Sequence, residues 1–335
     1  EELAELEGRP ARDYQTALNL LGRAHQQVDR FHWPALVAEA ELLLKKDNPR
    51  EAVEALHDAL RLNPTARETW FLLGEVAMSR FDFEGARRAV ERLRELDENH
   101  PGAALLEAEL YLTQKDAASA RQVIDDVRQR LPRHRMLLAC DAATAALSYD
   151  DAAFADAIDQ FEALSPGSPL AYHVVGEYLA MGRQYERGEQ MLRRAIEREP
   201  NWPAPQLALA NLLSQSGRDQ RALGVLRGVT ELDPFNREAA NNLKLFEALA
   251  DYGRIETEHF IIRYRPGIDE ALARDMPAYL EEIHRELVAV YGYEPERKTQ
   301  IELMPDKRWF AVRITGMPWI WTIGACTGPV ISMTP

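Results

Sequence analysis

Small and apolar residues recur with a period of 34 along the chain from Trp33 to Asn236. With Trp33 as position 1, position 8 is small in all six blocks: Ala40, Gly74, Ala108, Ala142, Gly176 and Ala210. Position 24 is apolar in all six blocks: Leu56, Val90, Ile124, Ile158, Leu192 and Leu226. An apolar stripe on an otherwise polar segment is typical of an amphipathic helix. Each block therefore predicts two antiparallel helices that approach closely at the small residues.

Turn-forming residues separate the two predicted helices of each block. Positions 15 and 16 are mostly polar and turn-competent: Asp47-Asn48, Phe81-Asp82, Lys115-Asp116, Tyr149-Asp150, Arg183-Gln184 and Gly217-Arg218. Position 32 is proline in five of the six blocks, at Pro64, Pro132, Pro166, Pro200 and Pro234. Because proline cannot continue a helix, these residues mark the end of the second helix.

The pattern resembles the tetratricopeptide repeat. The run Trp70-Phe71-Leu72-Leu73-Gly74, followed by Ala86 and Val90, fits the W-x2-L-G…A-x3-F pattern of that family. Position 7 departs from it, since Glu39, Glu107 and Asp141 stand where the family prefers leucine. The resemblance implies an α-solenoid of six repeats over residues 33–236. We expect a partial repeat with one helix in residues 1–32, and a capping helix and linker in residues 237–254.

Composition narrows the class of protein. The chain has 335 residues, with 54 acidic and 40 basic side chains and a net charge of −14. This acidity argues against binding of nucleic acid, which needs clustered lysine and arginine. No run of 18 apolar residues occurs, so we expect a soluble protein with no membrane span. The chain starts at Glu1 without methionine or signal pattern, so a targeting region is expected to be missing and the compartment stays unassigned.

The resemblance implies a partner-binding groove lined by the first helix of each repeat. Position 9, which the family exposes there, carries Glu41, Glu75, Glu109, Ala143, Glu177 and Asn211. Because Asn211 is the one candidate for a carboxylate clamp, an acidic C-terminus is not the expected ligand. The glutamates predict a protein or peptide partner that is basic or polar. The alternative is that they pair with arginines of neighbouring repeats.

After residue 254 the helical period is lost. Ile255–Tyr264 predicts a strand, Asp269–Tyr291 a helix ended by Gly292, Thr299–Met304 a strand and Asp306–Ile314 a short helix. Two strand-like segments follow, in 319–323 and 325–333. The fold class is thus mostly α, with a small α+β domain in residues 255–335.

That order of elements resembles the start of a peptidase MA-type (gluzincin) domain, as found behind repeat arrays in bacteria. The runs that carry the resemblance are Tyr291-Gly292-Tyr293-Glu294-Pro295, Ile301-Glu302-Leu303-Met304-Pro305-Asp306 and Phe310–Pro318. The family's zinc motif His-Glu-x-x-His is missing, since none of the eight histidines precedes glutamate. We therefore assign no catalytic residue, metal ligand or cofactor to this chain, and the domain is expected to be incomplete.

Two settings remain open for the chain. It is either the recruiting part of a larger zinc-metallopeptidase-like protein, or a non-catalytic adaptor with an unrelated or degenerate appendage. In the gluzincin resemblance, a strand that pairs with substrate would hold Gly324, Ala325, Cys326, Thr327 and Gly328. The alternative for this segment is an interior strand with a bulge at Gly328-Pro329. We expect Cys140 to be a packing residue and His259 to be a hydrogen-bonded structural histidine.

Overall fold

The computed structural model describes residues 12–318 and 322–334, which form two compact units. One unit holds residues 12–208 together with Leu232–Asn236, and the other holds Leu209–Glu231 together with residues 237–334. The domain boundaries that the repeat period suggests, at residues 33, 237 and 255, stay a prediction. Among the described helices, none is both long enough and apolar enough to cross a membrane.

Paired helices follow one another through the repeat region. A first helix, α1 (Arg12–Arg23), continues as a π-helical turn, Ala24–Val28, within the span predicted as one helix. The first helices of the six repeats are α2 (Trp33–Leu44), α4 (Arg67–Ser79), α6 (Pro101–Thr113), α8 (Arg135–Leu147), α10 (Leu170–Met181) and α12 (Pro203–Gln215). The second helices are α3 (Pro49–Leu62), α5 (Phe83–Leu96), α7 (Ala117–Arg128), α9 (Asp151–Leu164), α11 (Tyr185–Arg198) and α13 (Asp219–Leu232). The helix α14 (Arg237–Ala250) follows them.

Each turn between paired helices lies where the sequence predicts it, and its residue at position 15 is left-handed. The non-glycine residues with positive φ, between 50° and 63°, are Asp47, Phe81, Lys115, Tyr149 and Arg183. In the sixth repeat the same place is taken by Gly217, with φ 74°. The aspartate that follows then caps the second helix in three repeats: Asp82, Asp116 and Asp150 each accept a bond from a backbone N–H three residues on. The turn is therefore built locally, by two adjacent residues.

Small residues at position 8 let neighbouring helices meet. A Cβ added at Gly74 would overlap the side chain of Leu106, and one at Gly176 would overlap Leu192. Ala40 is fully buried in the same way. Apolar side chains of successive repeats then pack into shared buried clusters, one in repeats 1 and 2 and another in repeats 3 to 5. The expectation that position 8 sets the helix spacing is confirmed.

The first unit includes a contact between residues far apart in the chain. Lys46, at the end of the first helix of repeat 1, donates to Asp233 Oδ2 at 2.9 Å, and both side chains are almost fully buried. Asn236 Nδ2 donates to Asp47 Oδ2 at 2.7 Å. The rings of Tyr14 and Phe235 lie 5.2 Å apart. Residues 232–236 are therefore packed against the start of the repeat array.

The second unit contains a five-stranded sheet with the order β1-β2-β3-β5-β4. Its strands are β1 (Gly253–Glu256), β2 (Phe260–Tyr264), β3 (Thr299–Leu303), β4 (Gly324–Cys326) and β5 (Val330–Met333). The helix α15 (Ile268–Tyr291) joins β2 to β3, and α16 (Lys307–Thr315) follows β3. Strands β2, β3 and β5 are parallel, and the two hairpins are antiparallel.

Two predicted strands are hairpins in the structure. The segment Ile255–Tyr264 is broken at residues 257–259, where Thr257 N donates to Phe260 O, so it forms β1 and β2 rather than one strand. The segment 325–333 is broken at Gly328, whose φ of 115° turns the chain between β4 and β5. The helix predicted to end at Gly292 does so, with that glycine left-handed at φ 63°. The predicted segment 319–323 lies mostly outside the described residues.

A buried charge network packs α16 and the sheet against the last repeat within the second unit. Arg313 of α16 donates to Glu302 Oε2 at 2.6 Å, and to Ser214 and Asp219 of the last repeat. Burial raises the pKa of a carboxyl group, but Arg313 holds the pKa of Glu302 below its usual value. Ser332 of β5 donates to the same carboxylate at 2.7 Å. The side chains of Glu302 and Arg313 therefore satisfy each other.

Candidate partner-binding groove

Four of the predicted groove glutamates lie in the first unit, on the first helices of repeats 1, 2, 3 and 5. Glu41 and Glu177 are exposed, whereas Glu75 and Glu109 are half-buried. Their charges influence one another in order: Glu41 acts on Glu75, and both Glu75 and Glu177 act on Glu109. The 34-residue period therefore brings these side chains together on one face of the unit.

Partial burial and mutual repulsion make two of these carboxyl groups weak acids. Burial, with a smaller effect of Glu41, raises the pKa of Glu75 to about 7. Burial, with smaller effects of Glu75 and Glu177, raises the pKa of Glu109 to about 8. Both shifts have the sign expected when a carboxylate loses water and faces like charges. The groove therefore changes its charge near neutral pH.

The first helix of the fourth repeat lies near Glu109, whose carboxyl group is strongly desolvated. This helix, α8, has alanine at position 9, and all its residues from Leu137 to Ala146 are buried. The helices α6 and α10, which are the first helices of the repeats on either side of it, also contact each other directly. Glu109 then lies close to the buried thiol of Cys140 and the phenol of Tyr178, whose pKa values burial raises well above normal. The prediction that Cys140 is a packing residue is confirmed by its complete burial.

A fifth carboxylate joins the group and is absent from the sequence prediction. Asp47 occupies the left-handed turn position of repeat 1. Burial raises its pKa to about 6, although Asn236 donates to it, and the charges of Asp233 and Glu177 add to the rise. The sequence identifies Asp47 as a turn residue. Its proximity to Glu177 follows from tertiary packing, which the repeat period alone does not reveal.

The glutamates at position 9 have no lysine or arginine partner in the described part of the chain. No hydrogen bond or ion pair joins the side-chain carboxylate of Glu41, Glu75 or Glu109 to another described residue. Glu177 lies 3.3 Å from His173 on its own helix. The alternative that these glutamates pair with arginines of neighbouring repeats does not match this arrangement.

The carboxylates at position 7 are the ones that pair with basic side chains. Asp141, which is buried, accepts bonds from Arg121 and Arg128. Glu107 pairs with Arg94, and Glu39 with His25 at 3.0 Å. The departures from the family pattern at position 7 are therefore compensated within the fold.

The remaining predicted residues lie in the second unit. The side-chain amide of Asn211 is hydrogen-bonded within the fold: its Nδ2 donates to Glu238 at 2.6 Å, and its Oδ1 accepts from Asn242 at 3.0 Å. Gly324, Ala325 and Cys326 form β4, which has only β5 as a neighbour within the described residues and so stands at a sheet edge. Thr327 and Gly328 lie in the turn after it, and Thr327 Oγ1 donates to Gln215 O at 2.8 Å. Substrate pairing at β4 stays a prediction.

Comparisons with known proteins identify the repeat region. Models of the tetratricopeptide repeat match residues 37–80, 77–139 and 178–245. Residues from 246 onward lie outside these matches. No curated protein matches the chain.

Similar solved structures include yeast Tom70, with 16% identity and a TM-score of 0.47 over 70% of this chain and 51% of that one. A thermophilic TPR protein of Thermus thermophilus, TTC0263, has 16% identity and a TM-score of 0.45 over 54% of this chain and 98% of its own. The Cut9–Hcn1 hetero-tetramer of the APC/C has 13% identity and a TM-score of 0.47, covering 70% of this chain and 47% of that one. The chain thus spans about half the length of the Tom70 and Cut9–Hcn1 chains it matches, and these likenesses are too slight to bear on function.

Proposed function

Because this chain contains tetratricopeptide repeats, we propose that it binds a positively charged, extended segment of a partner protein on the carboxylates of its first unit. Repeat solenoids of this kind generally mediate protein–protein interactions through their concave surfaces. The observation that carries the proposal is the set of glutamates at position 9, which repel one another and have no lysine or arginine partner among the described residues. A lysine or arginine side chain would relieve that repulsion.

Proton release should accompany binding. At neutral pH the carboxyl groups of Glu75 and Glu109 are partly protonated, because their pKa values are about 7 and about 8. A cation placed beside them favours the ionised form. Binding of a basic segment should therefore lower both pKa values and be tighter at pH 8.5 than at pH 6.5.

A peptide-binding assay tests the proposal with the 335-residue chain. The probe is a fluorescein-labelled peptide of alternating lysine and serine, followed by anisotropy, and the comparison peptide alternates glutamate with serine. We expect saturable binding of the lysine peptide only, weakened by salt. The double variant Glu75→Gln/Glu109→Gln should bind it at least tenfold more weakly, a loss of about 1.4 kcal/mol.

Glu91 provides the matched control for this assay. It is exposed on α5, a second helix, and the variant Glu91→Gln removes the same kind of charge from the chain. We expect its affinity to stay within twofold of the unmodified chain. Equal weakening per replaced glutamate in the double variant and in Glu91→Gln would mean that only net charge attracts the peptide, and would refute a groove site.

We extend the proposal to the sheet edge as a second binding surface. Among the described residues β4 pairs only with β5, and Cys326 is exposed on it, so an extended peptide would add to the sheet beside β4. The resemblance to a gluzincin domain would make this the place where a substrate strand docks, in a larger zinc-peptidase-like protein. Slower labelling of the Cys326 thiol in the presence of an extended peptide is the expected result. An unchanged rate with bound peptide would refute it.

A further inference from the structure

Two histidines of the second unit stack on each other beside the sheet. His259 comes directly before β2, and His284 lies on the helix α15. Their ring centroids are 3.8 Å apart and the rings are inclined by only 15°. The buried ring of Phe260 packs edge-on against His284, with 6.0 Å between the ring centroids. Both imidazoles are therefore held in defined positions.

Glu294 approaches both rings from the loop after α15. Its Oε1 lies 3.4 Å from His259 Nε2 and 3.9 Å from His284 Nε2. One nitrogen of each ring and this oxygen all lie within 4.8 Å of one another. A tetrahedral zinc ion with bonds of about 2.0–2.2 Å holds its ligand atoms roughly 3.3–3.5 Å apart. The two distances from the Glu294 oxygen, 3.4 and 3.9 Å, are close to that separation.

Glu281 fixes the orientation of His259 from the other side of its ring. His259 Nδ1 lies 2.6 Å from Glu281 Oε2, and because a carboxylate only accepts, that nitrogen carries the proton. The backbone N–H of His259 and the hydroxyl group of Thr257 both donate to Glu281 Oε1, so the carboxylate is itself held. In the neutral ring, Nε2 then presents its lone pair beside Glu294. A histidine that ligates a metal is commonly oriented by a carboxylate in this way.

The charges around the pair favour a cation. Glu258, Glu281 and Glu294 all offer carboxylate oxygens near His259. The nearby Lys298 is held elsewhere, since it donates to Glu256 Oε1 and to Thr257 O, both at 2.7 Å. Two nitrogen ligands and one oxygen ligand suit zinc and its neighbours among the transition metals, rather than calcium or magnesium.

We propose that His259, His284 and Glu294 bind a divalent transition metal ion of the Zn²⁺ class, with Glu281 orienting His259. Nε2 of each ring and one oxygen of Glu294 are the protein ligands. The fourth position is left to water. This site is separate from the carboxylates of the first unit and belongs to no sequence motif, since the two histidines are 25 residues apart on different elements.

Metal titration of the full chain, after removal of metal with EDTA, tests the proposal. The probes are Zn²⁺ followed by calorimetry, and Co²⁺ followed by the visible absorption that tetrahedral coordination gives. We expect one ion per chain and a tetrahedral Co²⁺ spectrum. The variant Glu294→Gln should weaken the affinity for Zn²⁺ at least tenfold. Because 63% of the Glu294 side chain is exposed, this change should not disturb folding.

Two further variants separate this site from adventitious binding. His57 is exposed on α3, so His57→Ala removes a histidine elsewhere and should leave stoichiometry and affinity unchanged. Glu281→Gln should weaken binding about 10–100-fold while Co²⁺ stays tetrahedral, because it disturbs only the orientation of His259. Absence of saturable binding, an octahedral Co²⁺ spectrum, or equal losses in His57→Ala and Glu294→Gln would each overturn the proposal. These results are independent of the peptide assay, in which no metal is used.

Discussion

Replacement of Glu109 by glutamine should stabilise the chain at alkaline pH and leave it unchanged at acidic pH. In the folded chain the pKa of Glu109 is about 8, against an ordinary value of 4.5 that applies in the unfolded chain. Between these two values the folded state keeps a proton that the unfolded state has released. Because the unfolded state then binds fewer protons, the free energy of unfolding falls as pH rises.

The size of the effect follows from the shift. Each unit of pKa difference corresponds to about 1.4 kcal/mol, so the full shift of Glu109 amounts to a few kcal/mol. The contribution of its protonated form is complete below pH 4.5 and is lost as pH rises through about 8. Glutamine has the shape of the protonated acid and does not ionise. The Glu109→Gln variant should therefore be more stable than the unmodified chain by a few kcal/mol at pH 8.5, and nearly equal to it at pH 4.5.

Urea unfolding followed by circular dichroism at pH 4.5, 6.5 and 8.5 measures this difference. Glu91→Gln is the control, because that side chain is exposed on α5 and its variant should follow the unmodified chain at every pH. Parallel pH profiles for Glu109→Gln and the unmodified chain would refute the reasoning. So would a variant that is less stable at pH 8.5, because glutamine would then lack bonds that a charged carboxylate makes.

Three further experiments test other parts of the fold. Lys115→Gly should stabilise the chain by roughly 0.5–1 kcal/mol in thermal unfolding, because Lys115 is left-handed at φ 63°, whereas Lys115→Ala should not. Arg313→Met should lower the free energy of unfolding by about 3 kcal/mol, because it leaves the carboxylate of the buried Glu302 without its guanidinium partner. The double variant Arg313→Met/Glu302→Met should recover much of that loss. Equal urea midpoints for these two variants would contradict the pairing. In native protein the exposed thiol of Cys326 should react rapidly with Ellman's reagent, whereas the buried thiol of Cys140 should react only on unfolding. Rapid reaction of both thiols would show that α8 opens.

The repeat region could be predicted from the sequence because its causes are local. The turn pair at positions 15 and 16 and the proline at position 32 act within one helical hairpin, and the small residue at position 8 acts within a hairpin or between adjacent ones. The cap formed by Asp82 on the backbone N–H of Gly85 is a consequence of that turn alone. A period of 34 residues then repeats the same local result six times.

The features of the fold and of the site that the sequence does not predict depend on contacts between distant residues. The run Ile255–Tyr264 is rich in β-branched residues and has no glycine or proline to mark the turn that separates β1 from β2. The sequence names Glu109 as a groove residue, but its loss of water depends on how closely α6 and α10 approach across α8. His259 and His284 come together only because α15 folds back on β2. Periodicity carries no information on such pairs.

The bond between Lys46 and Asp233 has a consequence for how the first unit unfolds. Solenoids usually fray from their ends, because each repeat is stabilised only by its neighbours. Here the two partners are 187 residues apart in the chain, and folded repeats of the first unit lie between them in sequence. Unfolding of any one of those repeats would break this contact as well. Intermediates with a single unfolded repeat therefore lose additional stability, and the unit should unfold with the cooperativity of a globular domain.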